Sequence, residues 1–216
     1  NENHQLDLIA FGAPQTHYMR SNALKASEWE KAKRQYNLGD DWRKFNPDYG
    51  FDKSGNRRSN DYNSYHNPVI SLSHTWDINY KSCLSTKAYM SVGRGYKLSG
   101  LANSDEYSGY DWYGADYGVL NTKFRREYGT FDYGMIENIN ANSVKGSEMV
   151  MSKSLGDKDW YGLITTYSNQ SWDCVDWFLG MDFRYYKSLH KNTISDLFGG
   201  EYYIDPARNG VEIQNN

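Results

Sequence analysis

The stretch that most constrains the fold is VDWFLGMDFRYYK, residues 175 to 187, because its apolar and polar side chains alternate. Val175, Trp177, Leu179, Met181, Phe183 and Tyr185 fall on one side of a period-two stripe. Asp176, Phe178, Gly180, Asp182, Arg184 and Tyr186 fall on the other. Successive side chains of a strand point to opposite faces, so this segment is expected to be a strand with one apolar and one mostly polar face. The apolar face must meet either a protein core or lipid.

Four further segments carry a strand pattern. In HQLDLIAFGAPQTHY, 4 to 18, Leu6, Leu8 and Ala10 oppose Asp7, Ile9 and Phe11, and Pro14 marks a bulge or edge position. In PVISLSHTW, 68 to 76, Ile70, Leu72 and Trp76 oppose Val69, Ser71, Ser73 and Thr75. In CLSTKAYMSVGRG, 83 to 95, Leu84, Ala88, Met90 and Val92 oppose Ser85, Lys87, Tyr89 and Ser91. In DWYGLITTYS, 159 to 168, Tyr161, Leu163 and Tyr167 share a face. The second and third segments, and the fourth and fifth, are joined by short links, whereas loops 17 to 67 and 95 to 158 are long. Antiparallel neighbours joined short, long, short, long put both long loops at one end of the sheet. Compact domains rarely carry two such loops, and outer-membrane barrels carry them by rule.

The first long loop contains SEWEKAKRQYN, 27 to 37, expected to be a short surface helix with Ser27 and Glu30 in capping-box spacing and Trp29, Ala32 and Tyr36 on one face. The second contains EYSGYDWYGADYG, 106 to 118, where Tyr107, Tyr110, Trp112 and Tyr113 either form a stacking platform for a ligand such as a sugar or pack loop against loop.

Charge is nearly balanced, with 24 Lys and Arg against 27 Asp and Glu, so no nucleic-acid partner is expected. No apolar run reaches the ~18 residues of a transmembrane helix, but a barrel strand needs only about ten residues of alternating pattern. Twenty Tyr and seven Trp are unusual in 216 residues, and such rings collect where one end is dry and the other wet. Mid-strand charges Lys87, Asp182 and Arg184 must face water, outside a sandwich or inside a wide barrel. Trp76, Trp160 and Trp177 occupy expected girdle positions of a lipid-facing aromatic belt. His74, on the face of Leu72 and Trp76, is tolerable there only close to the interface.

The segments DLIAFGAPQTH, HNPVISLSHTWDIN, SCLSTKAYMSVGRG, IENINAN, DWYGLITTYS and GMDFRYYKSLHKNTISDLFGGEYYID resemble, in that order, consecutive parts of a TonB-dependent outer-membrane receptor of the long gut-bacterial type. The likeness spans nearly all of the 216 residues. It implies an all-β fold: an antiparallel transmembrane β-barrel segment of about five strands, with long extracellular loops and a short loop helix, in the bacterial outer membrane. It implies uptake of a small-molecule, glycan or peptide ligand. It also implies contact with outer-membrane lipid, a surface lipoprotein partner, and coupling to the TonB complex through parts absent from this chain. No TonB box or plug domain is expected within 1–216. The start, NENHQLDLIAFG, has no signal-peptide pattern, and with its polar end the chain reads as a piece of a longer one. Asp182 and Arg184 are expected to face the lumen and, with Tyr107, Tyr110, Trp112 and Tyr113, are the candidate ligand contacts.

The alternative is a secreted carbohydrate-binding β-sandwich module, which also alternates. No nucleophile elbow, HExxH, P-loop or GxGxxG is present, so neither an enzyme nor a cofactor or metal site is expected. With the fourth strand between the third and fifth, Cys83 and Cys174 would stand about 10 Å apart, too far for a disulfide. Two free thiols are expected.

Overall fold

A computed structural model describes residues 2–20, 23–103, 106–107, 112, 115–116, 118–172, 175–208 and 210–214. In chain order the strands are β1 His4–Phe11, β2 Gln15–Tyr18, β3 Tyr49–Phe51, β4 Arg57–Ser59, β5 Tyr62–His66, β6 Val69–Asn79 and β7 Ser82–Ala102. They continue as β8 Ala115–Asp116, β9 Val119–Leu120, β10 Phe131–Asp132, β11 Met149–Trp172, β12 Val175–Asp196, β13 Tyr202–Asp205 and β14 Val211–Gln214. Two α-helices lie wholly among the described residues, α1 Ala26–Gln35 and α2 Tyr133–Asn142. The fold is therefore mostly antiparallel β-sheet, and among the described residues no helix is long and apolar enough to cross a membrane.

The chain forms two compact units: Asn1–Gln15, Ser64–Gly95 and Leu155–Lys191 make the first; Thr16–Asn63, Tyr96–Ser154 and Asn192–Asn216 make the second. The main sheet runs β1-β6-β7-β11-β12, with β2 joined to β5 and β5 to β7. This is the neighbour order that the chain order of the five alternating segments predicts. The first expected strand breaks around Pro14 into β1 and β2, and the later ones are longer than the alternation suggests. β7 extends to Ala102, β11 begins at Met149 and β12 ends at Asp196, so the expected loop 95 to 158 is partly strand.

In the first unit β1 and β6 are antiparallel, with Leu8 opposite Leu72 and Ala10 opposite Ile70. β6 and β7 are antiparallel, with Ile70 opposite Met90 and Leu72 opposite Ala88. Their connection is only Tyr80 and Lys81, closed by the Lys81 N–H donating to Asn79 Oδ1 at 2.9 Å. A register shift between Asp77 and Asn79 bulges β6 beside that turn. Across β7 and β11, Thr86 Oγ1 and Thr165 Oγ1 are hydrogen-bonded at 3.0 Å. Across β11 and β12, the ring of Tyr161 lies tilted beside that of Tyr185 and Tyr167 beside Trp177, with centroids 6.1 and 5.4 Å apart. Partner numbers fall on one strand as they rise on the other, the mark of antiparallel neighbours.

The second unit holds the aromatic core. Trp112, Phe124, Phe131, Tyr133, Ile136, Met149, Met151 and Phe198 form one buried cluster. A smaller one joins Ala32, Tyr36, Phe45 and Leu120. Helix α1 buries the expected face, Ala32 and Tyr36 fully and Trp29 in part, but it starts at Ala26. Its N-cap is Lys25, without a side-chain cap, so the expected Ser27–Glu30 capping box does not form. Helix α2 is held by Asn140, whose Nδ2 donates to the carbonyls of Met149 (2.7 Å) and Leu197 (2.9 Å). Its Oδ1 accepts from the N–H groups of Glu148 (2.9 Å) and Met149 (3.3 Å). One buried side chain thus satisfies four backbone groups from two segments. β10 pairs in parallel with β3, Phe131 opposite Gly50. A Cβ on Gly50 would fall on the Phe131 backbone, so only glycine lets the two strands meet. Arg125 bridges the carbonyls of Pro47, Gly129 and Asn121, and burial lowers its pKa to about 10, which leaves it charged at neutral pH.

Candidate functional site

Pairing registers and side-chain contacts assign the two faces of the sheet in the first unit. One face carries Leu6 and Leu8 of β1, Ile70 and Leu72 of β6, Ala88 and Met90 of β7, and Leu163 of β11. On β12 it carries Trp177, Leu179, Met181, Phe183 and Tyr185. These side chains are uncovered: Leu8 is 70% exposed, Leu179 69% and Phe183 60%. Five strands spaced by ~4.8 Å, with an apolar stretch of about 26 Å, give roughly 600 Å² of projected apolar surface. The largest patch on an ordinary soluble monomer is itself only ~300–600 Å² of accessible area, and a rough surface exposes more than its projection.

Aromatic and polar groups bound this face at both ends. At the β6–β7 turn end stand Trp76, Tyr167 and Trp177, with His4 and His74 beside them. The two imidazoles stack at 5.3 Å, their Nδ1 and Nε2 atoms 3.0 Å apart, and His4 also stacks on Trp76 at 5.4 Å. His74 on an apolar face therefore has a polar partner and lies next to a tryptophan at the rim. At the other end, just beyond Tyr161 and Tyr185, Arg94 pairs with Asp159 at 2.8 Å. From Trp177 to Tyr185 the band spans nine residues of β12, within the ~9–11 residues a tilted strand needs to cross a bilayer.

The opposite face is mostly polar, although Ile9 and Phe11 of β1 and Phe178 and Tyr186 of β12 are also exposed on it. It carries Ser71, Ser73 and Thr75 of β6, Ser85, Lys87 and Ser91 of β7, and Asp182 and Arg184 of β12. Asp182 and Arg184 are brought together: Arg184 Nη2 donates to Asp182 Oδ2 at 2.6 Å, and Nε to the two carboxylate oxygens at 3.0 and 3.1 Å. Both groups are thereby neutralised on a wet face, without burial of an unpaired ion. Trp160 also lies on this face, between Tyr89 (6.0 Å) and Tyr186 (6.4 Å), not on the apolar face with Trp76 and Trp177. The reason is parity: its neighbour Tyr161 takes the apolar side. Cys83 is a free thiol at the start of β7, while Cys174 lies outside the described residues.

The aromatic loop candidates separate. Tyr110 and Tyr113 lie outside the described residues. Trp112 is fully buried, stacked 5.8 Å from Phe131, with its Nε1 donating to the Leu101 carbonyl at 3.1 Å. Its ring is part of the core and offers no open face for a ligand. Gly100 makes this packing feasible, since a Cβ there would strike the indole. Tyr107 is half-buried against Phe124, with the Lys123 ammonium 4.6 Å over its ring.

A feature without a sequence signal lies in the second unit. Tyr18, Arg57, Arg58, Tyr62 and Tyr96 line a cavity of about 330 Å³ together with Asp196 and the apolar Leu98, Met151 and Phe198. These side chains come from β2, β4, β5 and β7, and β2, β5 and β7 are hydrogen-bonded neighbours.

No protein-family model matches the chain, and no curated protein or solved structure matches it either.

Proposed function

We propose that the chain is a section of the wall of a TonB-dependent outer-membrane receptor, a β-barrel that takes up a small-molecule, glycan or peptide ligand. The observation that carries this reading is the two-faced sheet. An exposed apolar face, edged by aromatics and then by polar groups, backs onto a face bearing Lys87, Asp182 and Arg184. In a wide barrel the first face meets lipid and the second a watery lumen. The outermost strands, β1 and β12, each have one sheet neighbour among the described residues, and barrel closure by further strands would occupy their free edges. Asp182 and Arg184 then belong to the lumen wall, where a ligand or another part of the receptor would meet them. Energy coupling and a surface lipoprotein partner belong to the same proposal and rest on the family resemblance alone.

The secreted β-sandwich alternative requires a second layer over the apolar face. The exposure of Leu8, Leu179 and Phe183 speaks against it. Cell fractionation tests the choice. The full-length protein is expected in the outer-membrane fraction, extractable only with detergent and migrating differently on gels with and without boiling. A detergent-free, water-soluble monomer would overturn the proposal.

A further inference from the structure

Strand pairing brings two histidines together at the turn end of the sheet in the first unit. His4 lies opposite Trp76 and His74 opposite Leu6, so the two imidazoles are diagonal neighbours on β1 and β6. Their ring planes are parallel to within 4°, and Nδ1 of His4 stands 3.0 Å from Nε2 of His74. The two residues are 70 apart in sequence, so no ligand spacing marks them. A hydrogen bond between them uses one N–H and one lone pair. Moving that proton to the other nitrogen of the donor ring leaves two lone pairs facing each other, with no change in charge. Two nitrogens each ~2.0–2.1 Å from one ion stand about 2.8–3.4 Å apart, for angles between square and tetrahedral. The observed 3.0 Å lies in that range. His4 is exposed and His74 half-buried, so an ion can arrive from water and the rings are free to turn their lone pairs toward it.

We propose that His4 and His74 form a two-point chelate for a divalent late first-row transition ion, Cu2+ or Ni2+. Imidazole suits both ions, and Cu2+ heads the affinity order at such sites. Among the described residues no third His, Cys, Asp or Glu joins the pair, so the remaining coordination positions fall to water. A structural zinc centre, by contrast, closes on four protein ligands. Mg2+ and Ca2+ seek oxygen and gain nothing from two nitrogens. The ion acts as a clip, not as cargo. β1 has one sheet neighbour among the described residues, and the chelate fastens it to that neighbour, β6. In the unfolded chain the ligands are separated by 70 residues, so binding favours the folded state. The site needs only the β1–β6 pairing and stands whether or not the sheet faces lipid.

The test uses the untagged full-length protein at neutral pH, with Cys83→Ser and Cys174→Ser to remove competing thiols. Ni2+ affinity is measured by calorimetry, and guanidinium unfolding is followed by circular dichroism. At ten times its dissociation constant, Ni2+ is expected to favour the folded state about eleven-fold, and Mg2+ to leave the midpoint unchanged. His4→Gln and His74→Gln are each expected to weaken Ni2+ binding about ten-fold or more, since one arm alone gives no chelate. The double variant is expected to bind within about two-fold of either single one, the mark of two groups acting together. His17, His66 and His190 remain in every variant and set the background. A second measurement needs no variant to fold. Cu2+ bound to the protein with both histidines is expected to show hyperfine coupling to two nitrogens by electron paramagnetic resonance. An unshifted midpoint, Ni2+ binding unchanged in either single variant, or a Cu2+ spectrum without two-nitrogen coupling would overturn the site.

Discussion

Met181 sits midway along the apolar stripe of β12, four residues from Trp177 and four from Tyr185, and is 55% exposed. Four residues of strand cover about 13 Å, which at a tilt of ~45° places Met181 about 9 Å in depth from either aromatic. If the stripe faces lipid, Met181→Arg puts a guanidinium near the bilayer midplane, where it costs ~2–4 kcal/mol in a β-barrel. If the stripe faces water, a substitution at so exposed a site changes stability by ~0.5 kcal/mol or less. The difference amounts to roughly ten-fold or more in the unfolding equilibrium. Phe178→Arg supplies the control, since Phe178 is 79% exposed on the opposite face and should change stability by only about 0.5 kcal/mol. The assay is reversible guanidinium unfolding of the full-length protein in lipid vesicles, followed by tryptophan fluorescence. Equal, small effects at both positions would refute lipid contact. A large effect at Phe178 alone would mean that the faces are assigned the wrong way round.

Three further outcomes concern the second unit. Asn140→Ala strands four buried backbone groups and is expected to cost at least about 2 kcal/mol, read as a lowered unfolding midpoint; an unchanged midpoint would deny the clamp. Gly50→Ala forces β3 away from the Phe131 backbone and is expected to cost about 1–3 kcal/mol, with faster proteolysis near residues 49 to 59; wild-type protection would contradict the β3–β10 pairing. Burial works to raise the Asp52 carboxyl, but the backbone and side-chain N–H groups of Asn56 and the Arg58 guanidinium outweigh it and hold the group below its ordinary 3.8. Its stabilising contribution is complete above 3.8 and fades as pH falls through the lower folded value. Asp52→Asn should therefore lower stability at neutral pH and flatten the acid limb of the stability curve. An acid limb identical to wild type would show that Asp52 does not carry it.

The first unit was legible in the sequence because its signal is local. Period-two alternation assigns Leu179 and Asp182 to opposite faces, and short links order the strands. Strand ends were hidden where the alternation fades: Lys97, Ser99 and Gly100 in β7, and Gly156, Asp157 and Lys158 in β11, break the pattern while the ladder continues. Helix α2, YGMIENINAN, carries a glycine and three asparagines and no capping side chain, so its stability comes from the Asn140 clamp and burial of Ile136, which are long-range contacts. Trp112 resembles a platform ring by composition; its burial follows from the space at Gly100, over ten residues away in sequence. The same holds for Tyr18, Tyr62 and Tyr96, which only strand pairing makes neighbours. Asp182 and Arg184, two apart on one strand, were visible as a pair from the start.

The central claim is that one face of the sheet meets lipid and the other water, and thiol labelling along β12 addresses it residue by residue. In a background with Cys83→Ser and Cys174→Ser, single cysteines would be placed in turn from Phe178 to Phe183, and each full-length protein treated in its membrane with a water-soluble maleimide. Phe178→Cys, Gly180→Cys and Asp182→Cys are predicted to label readily, and Leu179→Cys, Met181→Cys and Phe183→Cys to label only with a lipid-soluble reagent. Uniform labelling by the water-soluble reagent at all six positions would contradict the account.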